Sequence, residues 1–314
     1  MKRNRLAIYC VSGLVAVLVT GASLYLEFSL PVGSGPAGPP VPAQAFSRPW
    51  TDRPVCLVGL GDSVTAGFGA RKGYSYFDRL IQNPTDDFPD MEGKCLGKVF
   101  ARLTFMNLAI SGSTSMELLE KELPHLPLAN SNTLGIVVIT TGGNDLIHNY
   151  GRTPPREEAM YGATLEQAGP WISDFEQRIE SMIRQIESRF PGGCQIYLAN
   201  IYDPTDGVGD TTRARLPAWN DAVKILGAYN GAIYRCAQRH PDVHLVDLHS
   251  AFLGHGIHCT QFWRSHYDWH DPHNWFYINL QDPNERGYDA IRRSFLIEMA
   301  KSLNPLPPAK GAVP

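Results

Sequence analysis

Three short segments of this chain carry the residue types that nucleophilic catalysis requires. The first reads Gly61-Asp62-Ser63 and directly follows the apolar run 55–60. A serine hydroxyl between a strand and a helix is exposed at the edge of a sheet, where the N–H groups of the helix can stabilise a developing negative charge. Ser63 is therefore a candidate nucleophile, and the alternative is that it only caps a helix.

The other two segments contain Gly112 and Asn144, which follow the apolar runs 103–109 and 135–140. A glycine lets the backbone approach a ligand closely and present its amide. The side chain of an asparagine can donate an N–H group to an oxyanion. Both residue types are also common in ordinary turns, so it is the joint occurrence of the three segments that indicates a site.

Alternating strands and helices are needed to bring the three segments together. Short apolar runs bounded by turn residues predict strands at residues 55–60, 103–109, 135–140, 195–200 and 243–247. Apolar residues spaced three and four apart predict helices at residues 171–190, 218–238 and 283–303. This alternation favours one parallel sheet with helices on both faces, and in such folds the functional residues collect at the carboxyl ends of the strands.

In this order and spacing, the three segments resemble the sequence blocks of the GDSL/SGNH hydrolase family, over about residues 55–303. The resemblance implies a flavodoxin-like three-layer α/β/α sandwich with a central parallel sheet. It also implies that Ser63 is the nucleophile, and that the amides of Ser63 and Gly112 form an oxyanion hole with the side chain of Asn144. The implied reaction is hydrolysis of an ester through an acyl-enzyme, with no cofactor and no metal.

The last block of that family does not match. Where the family has Asp-x-x-His before its final helix, this chain has Asn279 and Asp282. A carboxylate with an ordinary pKa of about 4 is a poor base for a serine hydroxyl. Asp282 is instead predicted to cap the final helix, because Pro283 and Glu285 follow it at positions that favour a helix start.

A substitute base is predicted just upstream, in a segment that holds six of the ten histidines: His249, His255, His258, His266, His270 and His273. We expect one of them to reach Ser63, with Asp282 orienting its ring as the acid of a catalytic triad does. His273 is the histidine nearest to Asp282 in the sequence, and the alternatives are His255, His266 and His270.

Two other interpretations of this segment compete with that hypothesis. In the first, a metal is bound by His266, His270 and His273 together with Asp268 and Asp271, although their spacing matches no named zinc motif. In the second, the segment is an aromatic-rich flap in which the histidines pack and form hydrogen bonds. Aromatic rings beside a cleft would also suit a carbohydrate ester.

Residues 1–30 predict a membrane anchor. Lys2, Arg3 and Arg5 precede residues 6–26, which carry no charged side chain, and about 20 apolar residues suffice to cross the bilayer core. A cleaved signal peptide is the alternative. The basic flank should remain in the cytoplasm, which places the rest of this single-pass chain in the periplasm or outside the cell.

The composition divides the remaining chain into three parts. Residues 31–50 are rich in Pro and Gly and predict a semi-extended linker, residues 51–304 predict a folded domain, and residues 305–314 predict a Pro-rich tail. The formal net charge of −3 argues against a nucleic-acid partner. An apolar fraction of 43%, with 13 Phe, 13 Tyr and 6 Trp, excludes a disordered chain.

Together these features predict a membrane-anchored serine esterase outside the cytoplasm, which acts on a small-molecule, glycan or lipid ester. The alternative is a protein that has kept the fold but only binds a ligand such as a glycan. Asn279 and Asp282 keep this alternative open, because they replace the acid and the base of the family.

Overall fold

The computed structural model describes residues 2–304, with side chains from Ala7 onward, and the predicted tail at 305–314 lies outside this range. The central sheet has five strands: β1 (Val55–Gly61), β2 (Leu103–Asn107), β3 (Leu134–Thr140), β4 (Cys194–Ala199) and β5 (Val243–Val246). All neighbours are parallel, in the order β2-β1-β3-β4-β5. The predicted parallel sheet is confirmed, and each strand begins and ends within two residues of its predicted bounds.

The α-helices of the described chain are α1 (Lys2–Phe28), α2 (Ser63–Ala66), α3 (Tyr76–Ile81), α4 (Leu96–Val99), α5 (Ser115–Glu117), α6 (Gly143–Ile147), α7 (Leu165–Arg189), α8 (Ala222–Arg239), α9 (Leu248–Phe252) and α10 (Glu285–Leu303). A π-helical turn, Leu118–Glu122, follows α5 directly. Short 3₁₀ turns cover Ala43–Phe46, Pro89–Met91, Leu123–His125 and His148–Gly151.

Successive strand residues face opposite cores, so the fold is a three-layer sandwich. Leu57 and Ile136 pack in one core, whereas their neighbours Val58 and Val137 pack in the other. The core around Val58 includes the buried faces of α7 and α8. The core around Leu57 includes those of α3, α4 and α10. The predicted α/β/α class is confirmed.

Capping side chains decide where two helices begin. The helix α7 starts at Leu165 rather than 171, because the side chains of Thr164 and Gln167 form a capping box there. The helix α10 starts at Glu285, and the side chain that caps it belongs to Asn284, which accepts from the amides of the next turn. The prediction that Asp282 caps this helix is therefore wrong.

The helix α1 is long and apolar enough to cross a membrane. Its window Ala7–Phe28 has 22 residues and a mean hydropathy of 2.0, and none of that window is buried inside the protein. A length of 22 residues corresponds to about 33 Å at 1.5 Å per residue, against a bilayer core of about 30 Å. The helix is thus a candidate membrane span.

Residues 31–50 differ from the semi-extended tether that their composition predicts, because they pack against the domain. Ala37, Val41 and Phe46 are buried in the same core as α10. The guanidinium group of Arg286 donates to the backbone carbonyls of Val32, Gly35 and Pro36. Proline has no backbone N–H to donate, and in this irregular segment the buried arginine supplies donors to the backbone carbonyls.

Candidate active site

The predicted catalytic segments meet at the carboxyl edge of the sheet. The register pairs Gly59 of β1 with Asn107 of β2, and Gly61 of β1 with Thr140 of β3. The three strands therefore end side by side, and the loops that follow them emerge from one edge. This arrangement follows from parallel pairing, because the carboxyl ends of parallel strands lie at the same edge.

A tight loop presents Ser63 at this edge. Gly61 has a φ of +121°, and a Cβ atom there would lie 1.8 Å from the carbonyl oxygen of Thr140, so only glycine fits. Asp62 caps the short helix α2, and Ser63 is its first residue, partly exposed to solvent. Ser63 thus occupies the position between strand and helix that the sequence predicts for it.

The carboxyl group of Asp62 is held inside the protein behind the serine. Its Oδ1 accepts from the amide of Val64 at 3.1 Å and from the hydroxyl of Thr140 at 2.7 Å. Burial raises the pKa of Asp62 to about 7, and the negative charges of Asp282 and Asp145 act in the same direction. The charge of Asp282 therefore influences the pKa of Asp62, the residue directly before Ser63.

The turn that contains Gly112 follows β2. The amide of Ser113 donates to the carbonyl of Ile110 at 3.0 Å, and Gly112 lies in this turn with a φ of +87° and open space where a Cβ would be. The amide of Ile110 in turn donates to the carbonyl of Gly61 at 2.9 Å. The turn is therefore fastened to the loop that carries Ser63, although Gly112 itself does not line the cleft described below.

The side chain of Asn144 points back toward the same turn. Its Nδ2 donates to the carbonyl of Ser113 at 3.0 Å, which uses one of its two N–H donors and fixes the orientation of the amide. The next residue, Asp145, is fully buried and accepts from the amide of Ser115 at 2.9 Å. Asp145 thus joins the loop after β3 to the loop after β2.

One cleft of about 150 Å³ opens at this edge and is lined by Ser63, Asn144, Asn279 and Asp282. Much of its wall is apolar: Leu146, Ile147, Ile201, Leu216, Trp219, Val223 and Leu226. A cleft that combines these polar groups with an apolar wall suits a ligand with a reactive polar group and a hydrocarbon part.

The side chain of Asn279 forms three hydrogen bonds with Gln281 and Asp282 at the rim of the cleft. Its Oδ1 accepts from the amides of Gln281 and Asp282 at 3.1 Å each, and its Nδ2 donates to the Oδ2 of Asp282 at 2.6 Å. Between them, Leu280 has a φ of +57°, a conformation that costs a non-glycine residue about 1–3 kcal/mol. Asp282 is nearly buried, at 6% exposure, and its carboxylate is held in one orientation.

No histidine among residues 7–304 lines this cleft. His273 hydrogen-bonds to Oδ1 of Asp271 at 2.6 Å, and its ring lies against Gly33. His255 stacks on Trp275, with ring centroids 3.5 Å apart, and its Nδ1 lies 3.1 Å from the carbonyl of His273. The base function predicted for His273 stays a prediction, and its observed contacts give it no support.

The remaining histidines of the segment also have contacts of their own. His258 bonds to Asp210 at 2.9 Å, and His249 lies 3.0 Å from the carbonyl of Ile201. His266 lies beside Gly207, and the side chain of His270 is almost fully exposed. Within the described residues, no three His, Cys, Asp or Glu side chains are grouped to hold a metal ion.

Glu122 is a site residue that sequence reasoning missed. Its side chain is fully buried below the serine loop, and its Oε2 accepts from the amide of Gly61 at 2.7 Å. Burial raises the pKa of Glu122 to about 7. The available signal was an acid one helical turn after the buried Leu118, on the face that the apolar pattern assigns to the core.

Tyr202 was also missed, and no sequence motif marks it. Its hydroxyl donates to the carbonyl of Gln281 at 2.6 Å, so it supports the backbone between Asn279 and Asp282 from below. Its ring stacks on Phe252 with centroids 4.7 Å apart. Only the folded chain brings residue 202 to the turn at 279–282.

A family comparison agrees with this geometry. The model of the GDSL-like lipase/acylhydrolase family matches residues 60–290, which include every strand tip and the turn at 279–282. The chain belongs to this family, whose hydrolases act on esters. No curated protein matches the chain.

Solved structures with a similar fold include an extracellular lipase from Streptomyces rimosus, 19% identical, covering 78% of this chain and 99% of that one, with a TM-score of 0.48. A phospholipase A1 from Streptomyces albidoflavus is 23% identical, covering 77% and 96%, with a TM-score of 0.47. An acetylxylan esterase from Geobacillus stearothermophilus is 16% identical, covering 79% and 96%, with a TM-score of 0.47.

Proposed function

We propose that this protein is a membrane-anchored serine esterase in which Ser63 attacks the carbonyl carbon of an ester. The observation that carries the proposal is that Ser63, Asn144 and Asp282 line one cleft at the carboxyl edge of the sheet. Attack forms a bond between the serine oxygen and the acyl carbon, and the alcohol leaves with a proton. Water then hydrolyses the acyl-enzyme and restores the serine.

Two donors for the oxyanion belong to residues that line the cleft, namely the amide of Ser63 and the second N–H of Asn144, while the amide of Gly112, which the family pattern adds, lies in the neighbouring turn outside the cleft lining. The first belongs to the amino end of α2, where the backbone N–H groups are not used within the helix. Asn144 has one donor engaged by Ser113, so its other donor has a fixed direction. Fixed donors stabilise the transition state because they need no reorganisation when the charge appears.

Asp282 is our candidate for the group that accepts the serine proton. It stands in the position that the family fills with histidine, it lines the cleft with Ser63, and Asn279 holds its carboxylate. A carboxylate is a weaker base than imidazole, so we expect a slower enzyme than a serine–histidine pair would give. The pair Asn279 and Asp282 then acts as one positioned unit, in which the amide orients the acid.

The candidate span α1 supports a location of this cleft outside the cytoplasm. Lys2, Arg3 and Arg5 precede the span, and a basic flank favours the cytoplasmic side. The domain would then face the periplasm or the exterior. The apolar wall of the cleft, with Leu216 and Trp219, suits an ester with a hydrocarbon part, on a lipid or a carbohydrate.

The test is ester turnover by the full chain in detergent, with p-nitrophenyl acetate and butyrate as probes. Ser63→Ala should lower kcat/KM by about 10³-fold or more, because the variant lacks the hydroxyl on which the proposed acyl-enzyme forms. Ser111→Ala, in the exposed neighbouring loop, is the matched control and should change it less than about twofold. A fluorophosphonate probe should label the wild type at Ser63 and leave Ser63→Ala unlabelled.

A ligand-binding protein without turnover is the second candidate, and the observation that favours it is Asp282 in the place of the histidine. If the wild type neither hydrolyses the two probe esters nor reacts with the fluorophosphonate, the esterase proposal is wrong. Binding of an ester analogue that depends on Asn144 would then support the second candidate.

A further inference from the structure

We infer that Phe262, Trp263 and Trp269 form a docking surface for the lipid bilayer that α1 spans. These three residues are called the aromatic surface below. The inference rests on the anchor in the proposed function and adds a second contact, by which the domain itself touches the membrane.

The far end of α1 is fastened to the chain just before the aromatic surface. The hydroxyl of Thr260 donates to the carbonyl of Leu26 at 2.8 Å and lies 3.2 Å from that of Ser29. Glu27 pairs with Arg213, whose guanidinium group also lies 5.1 Å from the ring centroid of Phe28. The domain is therefore held at the end of the helix by two separate segments.

These contacts set the height of residue 260 relative to the membrane. The apolar window of α1 ends at Phe28, so Leu26 lies in its last turn, at the boundary of the hydrocarbon core. Thr260 is hydrogen-bonded to Leu26 and must lie at that level as well. Phe262 and Trp263 follow within two or three residues, a reach of at most about 10 Å, which is comparable to the depth of the headgroup region, about 5–8 Å on each side.

The aromatic surface is exposed and contiguous. The exposed fractions are 50% for Phe262, 51% for Trp263 and 73% for Trp269. The ring centroid of Phe262 lies 5.1 Å from that of Trp263 and 6.4 Å from that of Trp269. Tryptophan is enriched where lipid headgroups meet hydrocarbon, because its ring is apolar and its N–H can donate a hydrogen bond. Continuity with the span makes the bilayer the occupant of this surface.

Docking would also fix one wall of the cleft relative to the membrane. Arg213, which pairs with Glu27, belongs to the loop that contributes Thr211 and Ala214 to the cleft. The cleft would then stay close to the bilayer instead of moving freely at the end of the anchor.

Tryptophan fluorescence of the full chain in phosphatidylcholine vesicles tests this inference, because the span Ala7–Phe28 contains no tryptophan. Vesicles whose lipids carry bromine on the upper acyl chain should quench part of the emission. Trp263→Phe/Trp269→Phe keeps the rings and removes both indoles, and it should lose at least half of the quenched part. Trp171→Phe, which removes a partly buried indole in α7, is the control and should keep it.

Flotation of the vesicles after an alkaline wash separates the two levels of the proposal. If the chain floats but its emission is not quenched, or if the double variant is quenched as strongly as the wild type, the docking surface is wrong and the anchor stands. If the chain does not float, both are wrong. If the double variant does not fold, Trp269→Phe alone provides the same comparison, since this side chain is the more exposed of the two.

Discussion

The edge of the sheet and the segments that wrap around it differ in how far the sequence predicts them. At the edge, Ser63 and Asn144 line the cleft, as the alternation of strands and helices leads one to expect. In the wrapping segments, Asp282 does not cap α10 and His273 contacts Asp271 and Gly33 instead of the cleft. Phe46, in the presumed tether, is buried in the core.

The difference shows which forces place a side chain. In the sheet, backbone hydrogen bonds align the strand ends, so a residue at a strand tip is placed by the register. In an irregular segment, each polar side chain is placed by its own partners. His273 has Asp271, and Asp271 in turn forms a bidentate ion pair with Arg286. Spacing along the chain does not contain this information.

The largest effect should come from a comparison in which each of the two candidate bases is substituted in turn. Asp282→Asn should lower kcat/KM for p-nitrophenyl acetate by about 10²–10⁴-fold, which is the range of general-base catalysis. His273→Gln should change it less than about threefold, because this ring lies outside the cleft. The reverse result, a large loss with His273→Gln and a small one with Asp282→Asn, would restore the histidine hypothesis.

A second substitution tests whether residues 31–50 belong to the folded domain. Phe46→Ala should lower the free energy of unfolding by about 3–4 kcal/mol, because it leaves a cavity in the core beside α10. The control Phe105→Ala, on β2 with its side chain 57% exposed, should cost less than about 1 kcal/mol. Thermal unfolding in detergent, followed by circular dichroism, measures both, and equal losses would mean that the segment is a free tether.

A third substitution tests the oxyanion donor that the strand tip supplies. Asn144→Ala should lower kcat by about 10²-fold and leave KM nearly unchanged, because the hydrogen bond from Asn144 to the oxyanion forms only in the transition state. Asn132→Ala, in an exposed loop, should leave both constants unchanged. A rise in KM at constant kcat would show that Asn144 only binds the substrate.

The smallest effect concerns the buried acid below the serine loop. The folded pKa of Glu122 is about 7, above its ordinary value of about 4.3, so the folded chain keeps a proton that the unfolded chain loses. The stability contributed by Glu122 is therefore fully present below about pH 4 and lost as the pH rises through about 7.

Glu122→Gln removes this titration and keeps an acceptor for the amide of Gly61. The decrease in melting temperature from pH 5 to pH 8 should be several degrees smaller in this variant than in the wild type. Glu120→Gln, exposed in the same helical turn, should behave like the wild type. An unchanged pH dependence in Glu122→Gln would mean that Glu122 is already ionised in the folded protein.

Residues missed by sequence reasoning share one property, which is contact across a long separation in the chain. Glu122 accepts from Gly61, and Tyr202 donates to Gln281. Neither contact belongs to a repeating pattern of spacings, so no local rule could predict it. Glu122 at least left a trace, since an acid on the apolar face of a helix requires a partner.

The sequence by itself determined the strands, the layers of the sandwich, the candidate span and the family. These features depend on the periodicity of apolar residues and on short motifs, which are local properties of the chain. The tertiary structure alone decided that Asn284 rather than Asp282 caps α10, and that Asn279 holds Asp282 in the cleft. It also decided that the histidines contact other partners, because a polar side chain in an irregular segment is placed by whichever donor or acceptor the fold brings within reach.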